Sequence, residues 1–237
     1  MLTSRTRAAG DASSAAFRHC PGIPGAGLSG GGRGAIGPDP GRGPRNAVRP
    51  EGTREEDGLY GIDFGTSNTV VTAREGAGTR MLALDEGGVL PSLLYFERDR
   101  RSSVGRAAAA DYAAALERWK GEKDLYERFR FFQALKLALK DPFYEGTTVF
   151  GERLKPEALA GIFLRELKRR ADEASGTEAD EVVLGRPVRL ADEEAEDARL
   201  EGRFRAAAEL AGFAKVSFVP EPVGAATRRT DGQDRQD

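Results

Sequence analysis

The sequence predicts an α/β protein, because strand-like runs come first, helical segments follow, and the chain closes with a strand, a helix and a strand. The four early runs are short, apolar or β-branched, and separated by turn residues, as strands are. They are Leu59–Phe64, Thr69–Ala73, Met81–Leu84 and Val89–Phe96. We find no internal repeat at a fixed period, so one α/β unit is expected rather than a repeat array.

The first two strands are predicted to form a β-hairpin. Gly65, Thr66, Ser67 and Asn68 connect them, and these residue types favour tight turns. Pro91 interrupts the fourth strand and has no N–H to donate to a neighbouring strand. An edge position in the sheet would tolerate it.

Two helices are predicted next, and together they form a helical insertion from about Ala107 to Lys140. The first is the alanine-rich segment Ala107–Trp119. The second is predicted from apolar residues that fall on one helical face. These residues are Leu125, Phe129, Phe132 and Leu139.

The last part of the chain predicts a helix, a strand, a helix and a strand. Pro156 suits the first helical position, and Gly176 suits the position just after the helix. Glu181–Leu184 is the following strand. Asp192 is a candidate N-cap, with Glu193 and Glu194 in the favourable first turn. That helix carries an apolar stripe and stops at Gly212, and Val216–Val219 is the last strand.

Composition divides the chain into three parts: a tail over residues 1–57, a globular part over 58–228 and a polar tail over 229–237. Twelve of the 30 glycines and six of the 12 prolines precede Glu55, so we expect the first part to be disordered. The net charge of −2 gives no basic face for nucleic acid. No apolar run approaches the roughly 20 residues that cross a bilayer, so no membrane partner is expected. The single cysteine, Cys20, fits a cytoplasmic location.

The segment from Asp63 to Asn68 carries the sharpest chemical signal. A carboxylate at the end of a strand is followed at once by small turn residues, whose backbone N–H groups can converge on a phosphate. Gly65 permits close approach because it has no Cβ. Asp63 can hold Mg²⁺, usually through water. From the residues alone, an ordinary hairpin turn with a solvated aspartate is an equally good interpretation.

This segment resembles the first phosphate loop of the actin, sugar-kinase and heat-shock-chaperone superfamily. The asparagine after the Thr-Ser pair, Asn68, makes the segment resemble the loop of the heat shock protein 70 (DnaK-type) branch in particular. Four further segments resemble that family in the same order along the chain. They are Glu86–Ser92, Val104–Ala108, Lys155–Pro187 and Val219–Ala226. The resemblance implies an incomplete ribonuclease-H-like lobe of an actin-like ATPase with a helical insertion.

The resemblance also implies ATP or ADP and Mg²⁺ as ligands, and roles for particular residues. Asp63 is the implied metal residue, and residues 65–68 are the implied phosphate contacts. Lys136 matches the family's lysine that reaches the γ-phosphate, and Glu221 the glutamate that orients the attacking water. Pro187 resembles a proline that transmits the nucleotide state. Each of these three residues has an alternative interpretation. Lys136 could be a lysine whose stem packs while its amine reaches solvent, and Glu221 a carboxylate at the start of a helix. Pro187 could simply end a strand.

The family's second phosphate loop, an Asp followed by a glycine run and Thr, is not found after Ala226. We therefore expect an ATP-binding chaperone of this family, truncated to the first half of its ATPase domain and inactive in ATP hydrolysis alone. The alternatives are a non-catalytic fragment, or a sugar-kinase or actin-like member of the superfamily. Unfolded protein clients and co-chaperones are implied partners of full-length relatives.

Overall fold

A computed structural model describes residues 58–98, 101–186 and 193–220 of the 237-residue chain. The predicted tails, the candidate N-cap Asp192, Pro187 and Glu221 lie outside the described residues. Among the helices of the described part, none combines the length and apolarity needed to span a membrane.

The described residues form eleven strands and four helices, numbered here in chain order. The strands are β1 (Leu59–Phe64), β2 (Asn68–Glu75), β3 (Gly78–Leu82), β4 (Leu90–Pro91), β5 (Leu94–Glu97), β6 (Ser102–Val104), β7 (Phe129–Phe132), β8 (Thr147–Val149), β9 (Glu152–Leu154), β10 (Glu181–Arg186) and β11 (Lys215–Pro220). The helices are α1 (Arg106–Arg118), α2 (Leu135–Lys140), α3 (Pro156–Ser175) and α4 (Glu194–Ala211). The predicted α/β class is confirmed.

The main sheet has the strand order β11-β10-β1-β2-β3, and β4 pairs with the start of β2. The β1, β2 and β3 strands run antiparallel, as the predicted hairpin requires. The β10 and β11 strands then add in parallel on the other side of β1. The sheet is therefore mixed, and three of its strands end at the same edge.

Alternation along β1 explains why this strand is central. Tyr60, Ile62 and Phe64 are buried on one face of the sheet, whereas Asp63 is exposed on the other. Phe64 stacks on Phe163 of α3 with ring centroids 5.7 Å apart. The α3 helix thus covers the face of the sheet opposite Asp63.

The hydroxyl of Tyr60 ties the beginning of β1 to the end of α3. It lies 2.9 Å from the Asp172 carboxylate, which also accepts the backbone N–H of Ala179. Burial, followed by the proximity of Asp172, raises the pKa of the Tyr60 hydroxyl well above its usual value. Tyr60 therefore stays a neutral hydrogen-bonding group at physiological pH.

Both ends of α3 and the C-terminal end of α4 follow the predicted chemistry. The start of α4 does not, because Glu193, predicted in the first turn, is instead the residue before the helix and makes no capping hydrogen bond through its side chain. Pro156 occupies the first turn of α3, and Gly176 follows the helix in a left-handed conformation. Gly212 ends α4 in the same way. The two helices pack closely at Gly161, where a Cβ would lie 2.8 Å from the Leu210 Cβ. The sequence therefore specifies a close α3–α4 pair that lies against the sheet.

The predicted helix through Leu125 and Leu139 is wrong. The segment forms a single 3₁₀ turn over Leu125–Glu127, then β7, then the short helix α2. The β7 strand pairs with β5 in a second sheet of order β6-β5-β7. Aromatic residues suit a strand, and the available partner strand overrides the helical spacing. The predicted helical insertion therefore contains α1 and α2 with a strand between them.

The predicted strand Val89–Phe96 is two strands. Its first part, β4, pairs with β2 in the main sheet, and its second part, β5, belongs to the second sheet. Ser92 and Leu93 lie between them. Because β4 pairs only with β2 among the described strands, Pro91 stands where a missing N–H is tolerated. The predicted third strand Met81–Leu84 is instead Gly78–Leu82.

Asp85 caps α1 from a distant part of the chain. The helix begins after Gly105, which has no side chain to cap it. The Asp85 carboxylate accepts the N–H of Arg106, the first helical residue, at 3.1 Å and that of Glu86 at 2.8 Å. It thereby satisfies one of the N–H groups that a helix start leaves unpaired.

Replacing Asp85 with alanine is expected to lower the free energy of unfolding by about 1–2 kcal/mol, as loss of an N-cap does. Urea unfolding followed by circular dichroism measures the change. Glu117→Ala is the matched control, because this carboxylate on α1 is exposed and its removal should change stability by less than about 0.5 kcal/mol. Equal unfolding midpoints for Asp85→Ala and the unmodified chain would contradict the capping role.

Candidate functional site

The candidate site lies where the parallel strands of the main sheet end. The β1 strand ends at Phe64, β10 at Arg186 and β11 at Pro220, all at one edge. In open α/β sheets this edge is where ligands usually bind. Asp63 projects from the sheet face opposite α3, and the turn of the first hairpin begins two residues later, at Gly65.

The hairpin turn is closed by a hydrogen bond from the Gly65 N–H to the Asn68 carbonyl, at 3.0 Å. A Cβ at Gly65 would lie only 2.2 Å from that carbonyl oxygen. The turn therefore requires glycine at this position. Thr66 is partly exposed, and Ser67 and Asn68 are exposed, so the tip of the turn faces solvent.

Ser92 fastens this turn to the segment between the two sheets. Its backbone N–H donates to the Ser67 carbonyl at 2.8 Å, and its hydroxyl donates to the Gly65 carbonyl at 2.9 Å. Its hydroxyl oxygen also lies 2.9 Å from that of Thr69. Both Ser92 and Thr69 are buried. The sequence carried a signal for Ser92 only in the Pro-Ser pair, to which we assigned no role in the site.

Lys136 is buried near the start of α2, with 6% of its surface exposed. The helix begins after Ala134, a non-glycine residue with left-handed backbone angles (φ 57°). Such a conformation is uncommon outside glycine and aspartate-like residues, so the entry to this helix is tightly constrained. A buried lysine in a short, constrained helix is held more firmly than a surface lysine.

The register of the second sheet connects Lys136 to the hairpin turn. Ser92 contacts the turn, and Leu94, two residues later, pairs with Phe132 of β7. Lys136 follows Phe132 by four residues. A hydrogen bond from Ser92 and the pairing of β5 with β7 thus connect the turn to the segment that leads into α2.

Glu221 and Pro187 cannot be placed, because they lie outside the described residues. Each follows a strand that ends at the site edge: Glu221 comes after Pro220 and Pro187 after Arg186. Arg186 pairs with Asp197 at 3.1 Å and Glu201 at 3.4 Å, both on α4. The end of β10 is therefore fixed to the helix that follows it.

The residues at this edge fit Mg²⁺ and phosphate groups. No group of three or more His, Cys, Asp or Glu side chains suited to a metal occurs within the described ranges. Mg²⁺ does not need one, since it commonly keeps several waters and binds through one or two carboxylates together with substrate phosphates. The exposed Asp63 supplies such a carboxylate. A tight glycine-containing turn beside it supplies backbone N–H groups and hydroxyls.

The sequence matches the family model for "Hsp70 protein" over residues 59–228. The chain therefore belongs to the Hsp70 family, which implies an actin-like ATPase fold for the matched residues. The mixed α/β sheet and its helices agree with that fold class.

Three curated chaperones show how far the similarity extends. "Chaperone protein DnaK" of Elusimicrobium minutum (strain Pei191) is 27% identical over 173 residues, covering 71% of this chain and 25% of that protein. "Chaperone protein HscA" of Citrobacter koseri is 32% identical over 180 residues, covering 70% and 27%. "Chaperone protein HscA homolog" of Azotobacter vinelandii (strain DJ) is 34% identical over 181 residues, with the same coverage. The chain spans about a quarter of the length of the curated relatives it matches.

Proposed function

We propose that residues 58–228 form the first lobe of an Hsp70-type ATPase and that its hairpin turn binds the phosphates of ATP and ADP with Mg²⁺. The observation that carries this proposal is the Gly65–Asn68 turn beside the exposed Asp63, at the carboxyl edge of three parallel strands. Both the backbone geometry and the carboxylate are what a Mg²⁺–phosphate group requires.

The strand order supports a ribonuclease-H-like lobe. Three antiparallel strands come first in the chain, and two parallel strands join the opposite side of β1 after the helices. A helix precedes each of these two parallel strands. In this proposal, the second lobe of an actin-like ATPase would meet the Asp63 face of the sheet at the strand ends.

Each residue of the turn has a chemical role in this proposal. Asp63 would hold Mg²⁺ through water. The N–H groups and hydroxyls of Thr66 and Ser67, with the amide of Asn68, would contact phosphate oxygens. Mg²⁺, when bound, neutralises charge on the phosphates. The protein's contribution is to keep these donors in fixed positions.

Lys136 and Glu221 are the proposed catalytic residues. The buried position of Lys136, and the pairing of β5 with β7 that connects its segment to the turn, support a place for its amine beside the γ-phosphate and the attacking water. Glu221 directly follows Pro220 in the sequence, and Pro220 is the last residue of β11. A carboxylate there would orient the water for attack.

The activity of the whole protein is part of the same proposal. We propose a chaperone in which ATP hydrolysis is coupled to protein folding, with unfolded proteins and co-chaperones as partners, in the cytoplasm. The support is family membership and the chaperone names of its relatives. The described residues contribute one wall of the nucleotide site to this activity.

Binding of ADP in the presence and absence of Mg²⁺ tests the proposed function, with isothermal titration calorimetry as the measurement. The chain should bind MgADP, and Asp63→Asn should weaken Mg²⁺-dependent binding about tenfold, since it removes a full negative charge from the cation's environment. Asp124→Asn is the matched control, because Asp124 is an exposed carboxylate whose side chain makes no capping hydrogen bond. Equal affinity for the Asp63→Asn variant and the unmodified chain would reject the magnesium role.

A further inference from the structure

Ser92 is a buried polar residue beside the hairpin turn, and nothing in its chemistry suggests that it touches a ligand. It has no exposed surface, and it follows β4 directly. It forms three hydrogen bonds, all to the first hairpin: to the carbonyls of Gly65 and Ser67 and to the hydroxyl of Thr69. We call these four residues the Ser92 clasp.

Counting hydroxyl protons shows which group donates in each hydrogen bond of the clasp. A serine hydroxyl has one proton to donate. The Ser92 hydroxyl donates it to the Gly65 carbonyl, so the Thr69 hydroxyl must be the donor in the bond between Thr69 and Ser92. The result is a relay from Thr69 to Ser92 to the Gly65 carbonyl, and each bond in such a chain polarises the next.

Because peptide groups are planar, the hydrogen bonds of Ser92 to the turn carbonyls also fix the direction of the N–H groups in the same peptides. The carbonyl of one residue and the N–H of the next share a plane and point in opposite directions. Since Ser92 holds the carbonyls of Gly65 and Ser67, it turns the N–H groups of Thr66 and Asn68 away from itself. Within the described residues, the N–H groups of Thr66 and Ser67 donate to no backbone carbonyl.

We propose that Ser92 is a positioning residue: through the clasp it fixes two peptide planes of the hairpin turn, so that the Thr66 and Asn68 N–H groups face the phosphates. This inference rests on the proposed function, because it assumes that the turn binds phosphate. Within the clasp, Thr69 has the role of orienting the Ser92 hydroxyl.

Two variants test the clasp. Ser92→Ala removes the hydroxyl that bonds to Gly65 and Thr69, and it should weaken MgADP binding about five- to tenfold, as expected for one lost hydrogen bond and a looser turn. Thr69→Val keeps the shape of the side chain and removes only the relay's donor, so a smaller weakening is expected. Thr69→Ser keeps the hydroxyl and should restore affinity close to that of the unmodified chain.

Two further measurements separate positioning from loss of stability. Val149→Ala, in the separate β8–β9 hairpin, is the control for a destabilised core; it should lower the unfolding midpoint while the folded chain keeps its MgADP affinity. Amide hydrogen exchange of the Gly65 N–H, without nucleotide, should accelerate in Ser92→Ala because its bond to Asn68 loses support.

Unchanged MgADP affinity in both Ser92→Ala and Thr69→Val would overturn the proposal. So would weakening in Thr69→Ser equal to that in Thr69→Val, since the hydroxyl would then be irrelevant. If the unmodified chain does not bind MgADP, the proposed function is what fails, and the phosphate role of the clasp fails with it. Gly65 exchange then still decides whether Ser92 holds the turn. Should Ser92→Ala not fold, Thr69→Val and Thr69→Ser carry the same comparison.

Discussion

Replacing Gly65 with alanine is expected to reduce the affinity for MgADP on the order of a hundredfold. The new Cβ would lie 2.2 Å from the Asn68 carbonyl oxygen, and a backbone atom cannot move aside as a flexible side chain can. The 3.0 Å bond that closes the turn must therefore break. Losing two charge-assisted hydrogen bonds to phosphate, at about 1.5–3 kcal/mol each, costs about 3–6 kcal/mol, and a hundredfold weakening is the low end of that range. Isothermal titration calorimetry provides the measurement.

Gly202→Ala is the matched control for this substitution. Gly202 lies in α4, and a Cβ there would meet no atom within 4 Å. Alanine at this helical position should leave MgADP affinity unchanged and raise stability by about 1 kcal/mol. If Gly65→Ala binds MgADP as tightly as Gly202→Ala does, the turn is not the phosphate site.

Replacing Phe163 with alanine is expected to lower the free energy of unfolding by about 3–5 kcal/mol. The Phe163 ring has no exposed surface, and it joins α3 to the central strand by stacking on Phe64. The loss combines the transfer free energy of the ring with a cavity that the surrounding helix and sheet cannot fill. Since domains are stable by about 5–15 kcal/mol, this is a large share of the total. Urea unfolding followed by circular dichroism measures it.

Phe143→Ala makes the same chemical change at an exposed site, where 89% of the side chain is accessible. Its unfolding midpoint should stay close to that of the unmodified chain. Similar losses in both variants would mean that the contact between α3 and the sheet is not the core of the fold.

The elements that the sequence predicted well are those whose signals are local. The short apolar run Leu59–Phe64, the proline and glycine at the two ends of α3, and Gly212 after α4 are all signals that depend on a few neighbouring residues. The predicted helix through Phe129 failed because β7 exists only in the presence of β5, more than thirty residues earlier in the chain. Periodicity cannot report a partner that distant, and aromatic residues suit both helical stripes and strands.

The residues of the candidate site also divide into those that local sequence could predict and those that depend on contacts between distant parts of the chain. The hairpin turn and Asp63 are contiguous, so residue chemistry alone could nominate them, although the residues left an ordinary turn as an equal alternative. The role of Ser92 depends on two hydrogen bonds to carbonyls 25 and 27 residues away in the chain, and backbone carbonyls leave no mark on a sequence. Lys136 was nominated by resemblance, and its placement relative to Asp63 stays a prediction.

The central position of β1 has a consequence for how the chain is made. One neighbour, β2, follows at once, but the other contacts of β1 come much later: Tyr60 and its partner Asp172 are 112 residues apart. At roughly 5–20 residues per second, a ribosome needs on the order of ten seconds to deliver that partner. During this interval the nascent hairpin has an unpaired, largely apolar edge, which is a template for association with other chains. A protein of a chaperone family thus has a long-range topology that leaves its own first strand unprotected during synthesis.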